Sequence, residues 1–475
     1  MHVELIPCAK KKARPTSYRY LNELGPLFLA CAMSFGFMAA RVHWAQASDG
    51  YVQDGHWSIL SSWICIPLGQ LGNKFQSRTL FLALFVAWVP SLWFLVRGFA
   101  SALTATVCTL LAVAWSVPLH PFPLTAWYSL FFTTFGTIAL LEYFNDRHIR
   151  WIVLTGLIGG VSLLATLSGL YFLTASILCL LYDEQSVQET VQVRERKVTD
   201  SVLSVAITIA LVALSTLLLQ FNGARQGLTE LYQFVAPGTA LIFLLLAREW
   251  REPRFASPIR LWLLGTRLLP LLIGAAIPVA VVAIADVLRG NAEGVDWRAM
   301  CHVPYPTQML HYAIHPIGAI WCAPLVIAIV LNHCVLGAWS RRIAMSVCSA
   351  GLVWLFVLQQ HHAVIAGWVW GSAGTMIPLL TVAGVFLLLH GQVRGEEATR
   401  LVLFLAVAAF CGLVQVPFSA PFCFCLVAPL AILGFTQLAT VGATAPRVSL
   451  LAPFAAFYAA TLLRLVVAQP SLKIF

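Results

Sequence analysis

The chain alternates long apolar runs with short clusters of basic residues. The first apolar runs cover residues 24–44, 79–97 and 100–118, close to the roughly 20 residues of a helix that crosses a bilayer. Basic residues stand at alternate ends of the runs: 97, 147–150, 194–197, 248–254, 341–342, 394–400 and 447. Because cytoplasmic loops are rich in Lys and Arg, this spacing predicts an all-α, polytopic transmembrane bundle with about 13–15 crossings and no large soluble domain.

The first run decides where the membrane domain begins. It follows the basic cluster 10–14 as a signal peptide would, but it approaches the length of a membrane span and no small-residue cleavage site follows. We therefore expect a cytoplasmic N-terminal segment at 1–23 and one transmembrane domain at 24–475. The first loop on the outer side of the membrane should cover about residues 45–58.

A second long run, 151–182, is too long for one helix and carries basic residues on both flanks. Two short helices that turn near Thr166–Gly169 would return the chain to the side from which it entered. The pattern thus predicts a helical hairpin, followed by a cytoplasmic loop at about 183–200.

Composition supports lipid as the solvent of this chain. Of its 475 residues, 60% are hydrophobic and 10% are charged, whereas soluble domains carry about 25% charged residues. The net charge of +10 is spread over the ends of apolar runs and forms no basic face, so we expect membrane lipid and not nucleic acid as a partner. Most cysteines lie within apolar runs, where they act as small apolar residues.

Candidate chemistry lies on the outer side, where acids are few. Asp49 and Asp54 stand together in the first outer loop. Paired carboxylates beside an apolar surface can act as a general base, can bind a divalent cation, or can simply form solvated turns at their Asp-Gly steps. The outer histidines match no zinc spacing, so no metal ligands are predicted among them: His302, His311, His315, His361 and His362.

Several segments resemble a known family when they are taken together: Ala126–Phe132, Ser168–Tyr171 with Asp183–Gln185, Leu231–Pro237, and Pro417–Pro421 with Val427–Leu430. With the first helix and its acidic outer loop, the chain resembles the GT-C superfamily of polyprenyl-phosphate-sugar-dependent glycosyltransferases, near the aminoarabinose and protein-mannosyl transferases. Two features differ from many relatives. Thr166 stands near the position of a family Lys, and no periplasmic domain follows the last helix before Phe475.

The resemblance implies an enzyme of a bacterial inner membrane whose active site faces the periplasm. Such an enzyme moves a hexosyl or pentosyl group from a polyprenyl-phosphate donor to a glycan, lipid or protein acceptor. Asp49 would be the catalytic base and Asp54 the second acid, while a divalent cation is the one cofactor left open. Candidate substrate-binding residues are His56, Arg225 and Arg298, and Arg41 and Arg78 are further candidate cations. A flippase or polymerase for lipid-linked glycans, or a polytopic transporter, remains an alternative.

Overall fold

Every regular element in the described part of the chain is a helix, which confirms the all-α prediction. The computed structural model describes residues 18–47, 73–119, 125–166, 168–186, 235–251, 258–288, 376–415 and 421–441, with isolated positions at 339–354 and at 456. The α-helices in these ranges are α1 (Tyr18–Ala47), α2 (Asn73–Arg97), α3 (Ala102–Ala114), α4 (Thr125–Asp146), α5 (Ile149–Ala165), α6 (Ser168–Ser186), α7 (Ala236–Arg251), α8 (Pro258–Leu288), α9 (Met376–Leu389), α10 (Gly395–Cys411) and α11 (Pro421–Thr440). Short 3₁₀ turns cover Val117–Leu119 and Gly412–Gln415.

Helices α5 and α6 occupy the run for which the sequence predicts a hairpin. The chain turns between Ala165 and Ser168. The Oγ atom of Ser162, near the end of α5, lies 3.1 Å from the Oγ atom of Ser129, near the start of α4. Helix α6 continues to Ser186, whereas the sequence places the start of a loop at residue 183. The helix extends because its last acidic residues are buried in ion pairs, as described below, and are not solvated.

Side-chain contacts fix the directions of the helices. Trp88 of α2 donates a hydrogen bond to Thr134 of α4 at 2.9 Å, while Phe81, two turns earlier, contacts Tyr128, so these helices run parallel. On α1, the Pro26 carbonyl accepts from Thr106 near the start of α3. The starts of α1 and α3 therefore lie at the same end of the bundle as the ends of α2 and α4.

The core centres on α10 and α11. Every residue of α10 from Leu401 to Cys411 is buried, and all side chains described in α11 up to Ala439 are buried as well. A helix that is apolar and buried on all sides belongs to the interior of a bundle. Helix α8 lies at the periphery and exposes large apolar side chains over most of its length.

Two helices in the described part of the chain are long and apolar enough to cross a membrane. They are Thr79–Arg97 within α2 and Leu264–Ala285 within α8. The described part of the chain also has shorter apolar helices of 10–17 residues, including α5 and α9. Length and composition thus agree with membrane association for part of this bundle.

Glycines let α5 and α8 approach closely. Gly156 and Gly160 of α5 face the backbone of α8 at Leu271 and Ala275, and Gly274 of α8 faces the backbone of α5 at Val153. A Cβ atom at any of the three would clash with a carbonyl oxygen of the partner helix. This is the small-xxx-small packing by which membrane helices bring their backbones together.

We expect Gly274→Ala to destabilise the protein because the new Cβ would meet backbone, which cannot move unless the helices separate. Overpacking of this kind costs about 1–3 kcal/mol. Gly265→Ala in the same helix is the matched control, since a Cβ there meets no atom within 4 Å and alanine favours helix. Thermal unfolding in detergent, followed by circular dichroism, compares the two variants. Equal midpoints for both would contradict this account of the α5–α8 contact.

Candidate functional site

All described Asp, Glu, Arg and His side chains lie at one end of the bundle, which we call the charged face. They occur at 97, 142, 146–148, 150, 183–184, 248–249, 267, 390, 394, 396–397 and 400. Contacts between helix ends join this face: Arg400 of α10 reaches Asn145 of α4 at 3.5 Å, and Gln185 of α6 donates to the Leu245 carbonyl of α7 at 3.2 Å. The side chains described elsewhere in the bundle are uncharged.

Asp183 is the centre of the charged face. Its side chain is 1% exposed and receives both terminal nitrogens of Arg147, one to Oδ2 and the other to Oδ1 at 2.9 Å. Arg267 of α8 adds a hydrogen bond from Nη1 to Oδ2 at 3.2 Å. Because an unpaired carboxylate is costly in such a place, two guanidinium groups hold this one. The Asp183 carboxylate thereby links the α4–α5 turn, α6 and α8.

Glu184 and Gln185 extend this network around the end of α6. Arg267 Nη1 also lies 2.8 Å from Glu184 Oε2, which makes an ion pair without hydrogen-bond geometry. Gln185 donates to Glu249 of α7 at 3.4 Å. We call Arg147, Asp183, Glu184 and Arg267 the Asp183 cluster. Its two cations balance its two acids.

The backbone of Arg147 is held in an unusual conformation. Its φ is 58°, in the left-handed region that glycine adopts readily and that costs other L-residues roughly 1–2 kcal/mol. The residue directly follows α4, and its N–H donates a hydrogen bond to the Tyr143 carbonyl at 2.7 Å. Burial alone would lower the pKa of the Arg147 guanidinium, but the hydrogen bonds and charge of Asp183 outweigh it and raise that pKa. The ion pair thus stabilises a turn that arginine disfavours.

A cavity of about 340 Å³ opens beside the cluster. It lies between the α4–α5 turn and α8, and its walls combine guanidinium, hydroxyl and apolar groups: Tyr143, Arg147, Ile149, Ile152, Thr266 and Arg267. The two acids of the cluster are not among its lining residues. The cavity therefore presents cations to whatever enters it.

The chemistry of this face is ionic. Both oxygens of Asp183 accept from guanidinium groups, so the carboxylate is not placed to accept a proton from a substrate. In the part of the chain that the structure describes, no three His, Cys, Asp or Glu side chains lie close enough to hold a metal ion. The arrangement suits the binding of an anion better than acid–base or metal chemistry.

The site residues predicted from the sequence lie outside the described residues. This holds for both candidate catalytic acids, Asp49 and Asp54, and for the candidate substrate-binding residues His56, Arg225 and Arg298. Their roles remain predictions. The same holds for the divalent cation that the acid pair could bind.

Sequence reasoning missed the Asp183 cluster, although one signal was present. Arg267 interrupts an otherwise apolar run, and a charge inside such a helix is expensive unless a partner neutralises it. The only acids that follow an apolar run directly at the hairpin end are Asp183 and Glu184. Pairing Arg267 with these acids would have placed α8 against α6.

Asp183→Asn should lower the stability of the fold because it leaves two guanidinium groups facing a neutral amide. Removing one partner of a buried pair costs about 3–5 kcal/mol, and we expect the low end because the Arg147 side chain is 44% exposed. Asp146→Asn, at the exposed end of α4, makes the same chemical change as a control and should stay within about 0.5 kcal/mol of the wild type. Midpoints of thermal unfolding in detergent test this. An unchanged midpoint for Asp183→Asn would show that the cluster contributes no stability.

Comparisons with protein-family models, with curated protein sequences and with solved structures found no match to the chain. The resemblance to the GT-C superfamily therefore rests on the sequence motifs alone and stays a prediction. What the structure adds is the helical bundle, its charged face and the cavity beside Asp183.

Proposed function

We propose that the chain is a polytopic protein of a bacterial inner membrane, with the charged face towards the cytoplasm. Three observations support this orientation. Basic residues, which mark cytoplasmic ends, occur at the ends of helices that meet at the charged face. Helices α1 to α6 run alternately away from and towards that face, and large apolar side chains are exposed along the described helices, such as Phe28, Phe94 and Val281.

We further propose that the protein transfers a sugar from a polyprenyl-phosphate donor to a glycan, lipid or protein acceptor at the opposite end of the bundle. The observation that carries this proposal is the one-sided distribution of ionisable groups. Since the described side chains away from the charged face are uncharged, we assign the reacting groups at the opposite end to residues outside the described side chains. Asp49 follows Ala47, the last residue of α1, by two positions, and α1 starts at the charged face.

The proposed reaction assigns separate tasks to these segments. The Asp49 carboxylate takes the proton of the acceptor hydroxyl as its oxygen attacks the anomeric carbon, and the bond from that carbon to the lipid phosphate breaks. Cationic or hydrogen-bonding groups, with His56, Arg225 and Arg298 as candidates, stabilise the departing phosphate. Asp54 supports the base or holds a divalent cation. The polyprenyl chain would lie against the apolar helix surfaces.

The same distribution disfavours a transporter. Transporters that couple to ions or protons place polar and ionisable groups near the middle of the bilayer. Among the residues that the structure describes, no Asp, Glu, Lys, Arg or His side chain lies away from the charged face. A lipid-linked glycan flippase would move its substrate across the membrane without a reaction. A polymerase would join whole glycans, whereas the transferase transfers a single sugar.

Asp49→Asn should reduce sugar transfer by about 10²–10⁴-fold, the usual contribution of a general base, because the amide keeps size but cannot accept the proton. The measurement follows product formation by mass spectrometry with purified protein, a panel of polyprenyl-phosphate sugars and candidate acceptors. Asp54→Asn should lose less activity. Asp146→Asn on the charged face is the control and should retain wild-type activity.

Two results would contradict this assignment. Full activity of Asp49→Asn together with loss of activity in Asp54→Asn would reverse the roles of the two acids. Wild-type activity in both variants would remove the first outer loop from the active site. Thermal midpoints measured in parallel separate loss of chemistry from loss of fold.

A further inference from the structure

The cavity beside the Asp183 cluster has an asymmetric charge distribution. Asp183 and Glu184 are nearly fully buried behind it, whereas Arg147 and Arg267 form part of its wall. The cluster as a whole is neutral, but its positive ends point to the cavity and its negative ends to the protein interior. An anion in the cavity would therefore meet the cations at short range and the acids at longer range.

Arg267 retains hydrogen-bonding capacity for such an anion, whereas both terminal nitrogens of Arg147 already donate to Asp183. A guanidinium group carries five N–H donors. Arg267 contacts both acids of the cluster through Nη1, so its Nε and Nη2 groups make none of these contacts. Arginine pairs with phosphate through two parallel N–H···O bonds, and buried acids that fix its orientation favour that geometry. The hydroxyl-bearing side chains Tyr143 and Thr266 line the same cavity.

An apolar surface continues from the cavity along the outside of the bundle. Ile149, which lines the cavity, is 55% exposed. On α8, Leu269, Ile273 and Ile277 follow Thr266 at intervals of three or four residues, so they lie on one face of the helix, and each is about half exposed. This face leads away from the charged end towards the middle of the bundle. A ligand with a phosphate and apolar chains would match both parts.

We propose that the Arg147–Arg267 cavity binds the phosphate of an anionic phospholipid from the leaflet at the charged face, with its acyl chains along α8. The proposal rests on the membrane orientation proposed above and is independent of sugar transfer. Basic pockets between helices at the cytoplasmic surface are suited to anionic headgroups. The lipid phosphate would link the α4–α5 turn to α8 at the surface of the bundle. Asp183 links the same two elements in the interior.

The wild-type protein provides the first test. Purified protein in detergent is titrated with phosphatidylglycerol, with phosphatidylcholine and with inorganic phosphate, and lipid binding is followed by native mass spectrometry. We expect phosphatidylglycerol to bind about tenfold more tightly than phosphatidylcholine, because its headgroup carries a net negative charge and that of phosphatidylcholine does not. Equal binding of the two lipids would overturn the proposal. Binding of inorganic phosphate at the cavity without phosphatidylglycerol binding would overturn the lipid as the source of the phosphate.

Variants at Ile149 locate the bound lipid without breaking the cluster. Ile149→Glu places a negative charge on the cavity wall and should weaken phosphatidylglycerol binding by about tenfold. Ile149→Gln has similar size and polarity without the charge, and it should stay within about twofold of the wild type. If Ile149→Glu binds phosphatidylglycerol as tightly as Ile149→Gln, the lipid does not occupy this cavity. These experiments measure lipid binding and not sugar transfer. A negative lipid-binding result would therefore not contradict the transferase proposal, and a negative transferase assay would not contradict the lipid site.

Discussion

A buried carboxylate in an apolar bundle has to be neutralised, and Asp183 meets this constraint with two arginines from different elements. Arg147 comes from the turn between α4 and α5, and Arg267 comes from the third turn of α8. Without these partners the end of α6 could not remain buried as helix. The left-handed backbone of Arg147 is a local cost that the ion pair offsets. The relative positions of four helices at the charged face thus depend on one charge.

Away from the charged face, the contacts between described helices involve no charged side chains. Glycines bring α5 and α8 into backbone contact, and aromatic rings pack α2 against α4 around Trp88 and Phe131. Hydroxyl pairs, such as Ser129 with Ser162, link described helices at the end opposite the charged face. This division leaves the charged face as an anchor and, in our proposal, as an anion-binding surface. The acid–base chemistry that we propose for the other end depends on Asp49 and Asp54, which lie outside the described residues.

The all-helical architecture could be predicted from the sequence, because the length of an apolar run indicates a helix and the basic residues beside it indicate where that helix ends. The run from Trp151 to Tyr182 is an example: its length and its two basic flanks predict two helices, and α5 and α6 are found there. The end of α6 could not be located this way. Acidic residues after an apolar run usually indicate a solvated loop. Here they lie in a buried helix because they pair with Arg267, which is distant in sequence.

The candidate site shows the same limit. Asp49 and Asp54 can be identified as candidates because paired acids after a first helix are rare in an apolar chain. Their spacing alone does not reveal which residues lie opposite them. The Arg147–Arg267 cavity escaped sequence reasoning because its residues are 120 positions apart. A glycine pattern, Gly156-x-x-x-Gly160, could have signalled the close approach of α5 to a partner, but it does not identify α8. Pairings between distant segments require the folded geometry.

The orientation of the charged face is the claim on which the rest depends, and cysteine labelling in intact cells tests it most directly. Asp146→Cys places a thiol on an exposed site of the charged face, and Leu288→Cys places one at the exposed far end of α8. With the wild-type protein and its twelve native cysteines as the baseline, a membrane-impermeant maleimide should add label to Leu288→Cys in intact cells. It should add label to Asp146→Cys only after permeabilisation. Labelling of Asp146→Cys in intact cells, with Leu288→Cys protected, would contradict the orientation and with it the placement of both proposed sites.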